Sequence, residues 1–129
     1  MRQGRFRFVV VAGTMLAVLA LPSCGFKRKL VSITVVPDTV TIGGSNLNVQ
    51  FKAVGNYIHP PDSRDITTSV AWGSAATEVV DINAAGLATS GNVCGANITI
   101  TATSHSDPHD SSSGVVVGTA IVTVKLPGC

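Results

Sequence analysis

The stretch Asn97-Ile98-Thr99-Ile100-Thr101-Ala102-Thr103 alternates apolar and hydroxyl-bearing residues without a break. Such alternation over a short run is typical of a β-strand with one face in a core and the other in solvent. Ile98, Ile100 and Ala102 would lie inside, with the threonines outside. The stretch therefore predicts a strand and favours an all-β fold.

The same alternation recurs on both sides of this stretch, and helical periodicity is absent. Gly118 falls inside the last apolar run, where a glycine often marks a bulge or a change of sheet. Turn residues such as Gly43-Gly44, Pro60-Pro61-Asp62 and Ala85-Gly86 separate the runs. Further strands are predicted at 31–35, at 47–53, around Val70 and Trp72, at 80–82, near Leu87 and at 115–125. The residues predicted to share a face or to lie in the core are Val31, Ile33 and Val35 in the first; the odd-numbered residues in 47–53; Val70 and Trp72 together; and Ala120, Val122 and Val124 in the last.

About seven short strands, with Trp72 as a large core residue between the sheets, predict a two-sheet β-sandwich. Residues from about Leu30 to Val124 moreover resemble a bacterial immunoglobulin-like domain of group 2, and this resemblance implies an immunoglobulin-like two-sheet β-sandwich. The segments that carry the resemblance follow the family in order and spacing: Val31-Ser32-Ile33-Thr34-Val35-Val36-Pro37, Ile42-Gly43-Gly44, Asp65-Ile66-Thr67, Val70-Ala71-Trp72-Gly73-Ser74, Val79-Val80-Asp81-Ile82, Ala85-Gly86-Leu87-Ala88-Thr89, Ile98-Thr99-Ile100-Thr101-Ala102 and Thr123-Val124.

The resemblance implies a role at the cell surface, because members of that family commonly occur as repeats in adhesins and surface proteins. The chain departs from the family pattern at three places. Gly73 replaces the more usual serine or threonine, Ser104–Gly114 is a long polar insertion, and a cysteine pair is not a family hallmark.

The N-terminal residues resemble a bacterial lipoprotein signal. Three arginines precede the apolar run Phe8–Leu21, whose 14 residues are few for a transmembrane helix. Leu21-Pro22-Ser23-Cys24-Gly25 then matches the lipoprotein box, apart from Pro22. The resemblance implies cleavage before Cys24 and lipid attachment there, through a diacylglycerol thioether and acyl chains such as palmitate. An uncleaved signal anchor is the alternative.

This interpretation divides the chain into a signal peptide (1–23), a short basic linker at the lipid anchor (24–29) and the immunoglobulin-like domain (30–129). The protein would be exported and membrane-anchored. Gly25, rather than aspartate, follows Cys24, which favours the outer membrane if the organism has two membranes.

The three cysteines are Cys24, Cys94 and Cys129, an odd number that requires explanation in an exported protein. If lipid occupies Cys24, the other two can pair in an oxidising compartment. Cys94 precedes one predicted strand and Cys129 follows the last, so antiparallel pairing of these strands would place both at one end. We therefore predict a Cys94–Cys129 disulfide, which would stabilise the fold by about 4 kcal/mol on the chain-entropy model.

The formal net charge of +2 comes from the N-terminal residues. Three of the nine basic residues lie in the predicted signal and three in the linker, which leaves three against seven acidic residues from Leu30 onward. No basic stripe remains to neutralise phosphates, so we expect no nucleic-acid partner. Lys27, Arg28 and Lys29 would either form a solvated linker or contact anionic headgroups.

Candidate chemistry is sparse. His105-Ser106-Asp107-Pro108-His109-Asp110 contains metal-ligating residue types, but Pro108 and the serines place it in a loop, where the spacing of the histidines loses its geometric meaning. No nucleophile elbow, phosphate-binding glycine loop or acid/base pair is visible. We expect no enzymatic activity, cofactor or bound metal.

The sequence thus predicts a lipid-anchored envelope protein with a single, monomeric domain that acts as a structural, protein-interaction or adhesion module. Its partner would be an envelope or surface protein or a glycan. Candidate interaction loops are 56–65, with Tyr57 and His59, and 104–114, with His105 and His109. The alternative is a small-ligand or carbohydrate-binding surface lipoprotein, for which Tyr57 is the candidate aromatic contact.

Overall fold

The structure, a computed structural model, describes residues 27–129. The predicted signal peptide, Cys24 and the first linker residues lie outside the described residues. No helix in the described part of the chain is long and apolar enough to cross a bilayer. Residues 27–129 form ten β-strands and no helix: β1 Lys29–Val36, β2 Thr39–Ile42, β3 Asn48–Gln50, β4 Lys52–Ile58, β5 Asp62–Asp65, β6 Ala71–Ser74, β7 Val80–Ile82, β8 Leu87–Ser90, β9 Gly95–His105 and β10 Val115–Val124.

The strands form three sheets in two layers. One layer is the four-stranded sheet β2-β10-β9-β6, in which β10 pairs parallel with β2 and antiparallel with β9. The other consists of the sheets β1-β4-β5 and β3-β8-β7, joined through Phe51 between β3 and β4. β1 contacts β10, and β7 contacts β6. The predicted all-β sandwich is confirmed.

The core lies between the layers and draws apolar residues from all three sheets. The alternation in β10 is confirmed, since its predicted core residues are buried. The largest apolar side chains that are almost completely buried are Phe51, Leu30, Ile100, Val80, Val122 and Val124.

Ten strand segments form rather than the seven predicted, because one predicted strand is divided and β2 and β5 form where no strand was predicted. Pro37 and Asp38 separate β1 from β2, which join different sheets. The predicted strand 47–53 breaks at Phe51, whose N–H donates to the carbonyl of Gly86 at 2.8 Å. Leu47 precedes β3 and is 47% exposed, so its assignment to the core is wrong. The predicted loop 56–65 forms most of the β4–β5 hairpin.

The prediction that Val31 shares the core face with Ile33 and Val35 is also wrong. The register of β1 against β4 shifts between Leu30 and Ser32. This irregularity turns Val31 outward, where it is 46% exposed, and places Leu30 in the core at 1%. One additional residue in a strand reverses the faces on either side of it.

Gly118 does not mark a bulge, because its pairing with Ala102 belongs to a continuous register. The irregularity in β10 lies instead between Val122 and Val124. A Cβ atom on Gly118 would lie 2.8 Å from Cγ2 of Ile33. The glycine therefore permits close packing of β1 on β10.

Candidate functional site

One end of the sandwich brings together the two predicted interaction loops. At the start of β1, Lys29 is opposite Ile58 and Leu30 is opposite Tyr57, at the end of β4. The Leu30 N–H also donates to the carbonyl of Ser106 at 2.8 Å. Residues 27–29, 57–62 and 105–114 are therefore adjacent, and we call this region the N-terminal end.

Side-chain hydrogen bonds hold the β4–β5 hairpin in place at this end. The Asn56 amide donates to the hydroxyls of Ser32 at 3.0 Å and Thr34 at 3.1 Å, and its carbonyl accepts from Ser63 at 2.9 Å. These bonds tie β1, β4 and β5 together on their outer face. Tyr57 is half-buried and packs against the core, whereas His59 is exposed at the turn.

The loop 106–114 is organised by its own aspartates. Asp107 accepts from the N–H of His109 at 2.9 Å, and Asp110 accepts from the N–H of Ser112 at 2.9 Å. The side-chain and backbone hydrogen bonds from Ser112 lower the pKa of Asp110. His109 is exposed, and His105 is half-buried. Among residues 27–129, no group of three or more histidines, cysteines or acids is arranged to hold a metal ion.

Charges of both signs meet at the N-terminal end. Arg28 Nη1 lies 3.9 Å from Asp62 Oδ2, and Arg64 Nε lies 2.7 Å from the same oxygen. The positive charge of Lys27 is close enough to contribute to the lowered pKa of Asp110. The chain has three histidines in all, and each of them lies at this end.

A groove of about 330 Å³ opens beside β6 and β9. It contains neither a charged residue nor an aromatic ring of the kind that stacks on sugars, and Tyr57 is not part of it. Its lining consists of Ser69, Ala71, Thr103, Ser104, His105, Pro108 and Val115.

Trp72 lies at the margin of the core rather than at its centre. Its ring centroid is 6.5 Å from that of Phe51, and its side chain is half-buried. The indole N–H donates to the carbonyl of Thr67 at 2.8 Å, so this polar group has a partner within the protein.

Cys94 and Cys129 form a disulfide with a Cα–Cα distance of 6.5 Å, as predicted. It links the residue before β9 to the C-terminal residue after β10. β9 runs from Cys94 toward His105, so the disulfide lies at the opposite end of the sandwich from the N-terminal end.

The outer face of the four-stranded sheet is a feature that the sequence patterns did not reveal. Register aligns Thr119 with Thr101 and Thr123 with Thr41 on neighbouring strands. None of the four strands contains Asp, Glu, Lys or Arg. We call this outer surface the threonine face; its main residues are Thr39, Thr41, Ala71, Gly73, Thr99, Thr101, Thr103, Val115, Val117, Thr119, Ile121 and Thr123.

No family model matches the chain. Over 97 residues, the chain is 42% identical to Ice-binding protein 1 of Shewanella frigidimarina (strain NCIMB 400). The similar region covers 75% of this chain but only 8% of the length of that protein.

Proposed function

We propose that this chain is a lipid-anchored component of a bacterial cell envelope, in which one immunoglobulin-like domain acts as a structural, protein-interaction or adhesion module. The observation that carries the proposal is Cys24, which directly follows the lipoprotein-type signal (1–23) and lies six residues before the core residue Leu30. The resemblance to group 2 immunoglobulin-like domains supports the module role. The partner would be an envelope or surface protein or a glycan, and the outer membrane is the proposed location in a cell with two membranes.

Intact-mass analysis of the membrane-extracted, unreduced protein tests this function. We expect a chain that starts at Cys24, is heavier by its acyl groups and is lighter by two hydrogens. The matched variant Cys24→Ala should accumulate as an unprocessed, unacylated precursor. A wild-type chain that retains residues 1–23, or that is secreted without lipid, would contradict the anchor.

The carbohydrate alternative has less support. Tyr57 is half-buried and Trp72 uses its N–H within the protein, while the groove beside β6 offers no aromatic platform. Flat calorimetric titrations with envelope glycans would agree with this view, and saturable binding would restore the alternative.

A second candidate function, the recognition of ice, is favoured by the threonine face. Neighbouring strands lie about 4.8 Å apart, and alternate residues along a strand lie about 6.6 Å apart, so the threonines form a regular array. Each threonine offers a hydroxyl and a methyl group. The face carries no charged side chain that would order water differently from the water in ice. The similarity to a protein named for ice binding is consistent with this candidate, although it covers a small part of that protein.

Ice recrystallisation assays on the mature chain, exported with a non-lipidating signal, test this candidate. Thr101→Lys and Thr119→Lys place charges on paired strands of the threonine face. Thr68→Lys is the matched control, because Thr68 is exposed in the loop between β5 and β6, outside the threonine face. We expect inhibition of ice growth to be lost only in the first two variants. A wild-type protein without effect on ice growth would exclude the candidate.

A further inference from the structure

We propose that the threonine face is a contact surface for a second copy of this chain, so that two anchored copies pair side by side on the membrane. The sequence predicts a monomeric domain, and the reason to expect pairs emerges only in the assembled sheet. The orientation of the two copies rests on the proposed lipid anchor at Cys24.

The distribution of charge favours a second copy as the partner. All seven acidic residues of the chain lie outside β2, β6, β9 and β10, as do the basic residues from Lys27 onward. Strands β1, β4, β5 and β7 of the other layer each carry at least one charge. In a two-fold contact the same surface lies on both sides, so a charge near the axis meets a like charge. The threonine face is free of this repulsion.

Two valines give this face an apolar end. Val115 is 60% exposed and Val117 is 52% exposed, and both lie on β10. Val117 pairs with Thr103, which pairs with Ala71, so an uncharged row crosses three strands. Adjacent apolar side chains in water favour burial against a partner. The threonine methyl groups extend this apolar area along the sheet.

The side chains of the face are short and stiff. Threonine, valine and isoleucine are branched at Cβ and have few χ1 rotamers, and alanine and glycine have none to lose. A contact made by these residues therefore loses less conformational entropy than one made by lysine or arginine. The face is ordered before any partner arrives.

The direction of the strands permits both anchors to lie in one leaflet. Lys29 begins β1 five residues after Cys24, and five residues of extended chain reach at most about 18 Å, so the N-terminal end stays near the bilayer. β10 runs from Val115 at that end toward the disulfide. A two-fold axis parallel to β9 and β10 then brings two threonine faces together with both lipids on the same side.

The size of the face indicates a weak pair. β9 has 11 residues, β10 has 10, and β2 and β6 have 4 each. At about 4.8 Å between strands and about 3.3 Å per residue, their projected area is about 460 Å². Two copies would bury about 900 Å², below the roughly 1,200 Å² at which stable interfaces begin. Pairing should therefore depend on the high effective concentration that a shared membrane provides.

Disulfide cross-linking of the acylated protein in phosphatidylcholine vesicles tests this contact. Val117→Cys adds one free thiol to the threonine face, because Cys24 carries lipid and Cys94 pairs with Cys129. Ala84→Cys is the matched control, since Ala84 is exposed in the turn between β7 and β8 of the other layer. We expect the yield of linked dimers from the control to be about tenfold lower, because only thiols held at the contact share a high effective concentration.

Paired charges identify the partner as a second copy. Thr119→Lys and Thr119→Glu are each combined with Val117→Cys, two residues away on the same face. Each variant alone should give about tenfold fewer linked dimers, since like charges repel across the contact, and an equal mixture of the two should restore the yield. Ala84→Lys and Ala84→Glu should change neither result. Circular dichroism checks that each variant is folded.

Equal yields from Val117→Cys and Ala84→Cys would overturn the pairing, as would a mixture that links no better than its separate members. A different protein bound to this face would give the second result. Intact mass on the same preparation separates these outcomes from failure of the proposed function. An unacylated chain would overturn the anchor, and the pairing of anchored copies with it. Because the vesicles contain no ice, cross-linking is also independent of ice recognition by the same face.

Discussion

Phe51 connects the two sheets of the second layer. It lies between β3 and β4 and is completely buried. It is not paired with a residue of another strand in the β1–β4 or the β3–β8 register. Its backbone is held instead by Gly86, and its ring contacts the core beside Trp72. This residue, rather than the tryptophan, fills the centre of the sandwich.

We expect Phe51→Ala to lower the free energy of unfolding by about 3–5 kcal/mol, through lost burial and the cavity that remains. Leu47→Ala is the matched control, because Leu47 is largely exposed; its effect should stay within about 0.5 kcal/mol. Denaturant unfolding of both variants measures the difference. Equal losses would show that Phe51 is not the main core aromatic.

We expect Asp65 to contribute to the acid sensitivity of the fold. Hydrogen bonds from the Thr67 side chain and backbone lower its pKa from the ordinary value of 3.8. A lowered folded-state pKa stabilises the protein above the unfolded value, and this contribution is lost as the pH falls through the folded-state pKa. Thermal unfolding between about pH 5 and pH 2 should therefore show a smaller acid-induced loss for Asp65→Asn than for wild type. An acid profile of Asp65→Asn identical to that of the wild type would contradict this role.

At the scale of whole elements, the packing of β1 on β10 depends on Gly118. A side chain there would meet Ile33 of β1. We expect Gly118→Ala to destabilise the fold by about 1–3 kcal/mol, as overpacking does. Gly114→Ala is the control, because nothing lies within 4 Å of its Cβ position. Thermal melts compare the two variants. Equal melting temperatures would show that β1 can move away from residue 118 without loss of stability.

At the scale of the whole molecule, the disulfide joins residues 35 positions apart and closes the hairpin of β9 and β10 at its open end. Removing it with Cys94→Ser and Cys129→Ser should lower the free energy of unfolding by about 4 kcal/mol on the chain-entropy model. Reducing agent should destabilise the wild type and leave the double variant unchanged. A wild type indifferent to reduction would contradict the prediction.

Local pattern was sufficient for the alternation in β9 and β10 and for the cysteine pair. In Asn97–Thr103 and at Ala120, Val122 and Val124, the two-residue period of a strand assigns inward and outward positions without knowledge of the neighbours. Cys94 and Cys129 flank two consecutive strands, so antiparallel pairing was enough to bring them together. Each of these inferences needed only adjacent parts of the chain.

Tertiary packing decided what the pattern left open. The irregularity after Leu30 moved Val31 out of the core, and Phe51 divided one predicted strand between two sheets. Tyr57, His59, His105 and His109 could each be selected from the sequence, but their common location depends on β1 lying beside β4 and bonding to Ser106. The threonine face likewise requires β2 to pair with β10. Alternation states which side of a strand is apolar; only pairing, register and packing between distant segments determine which strands become neighbours.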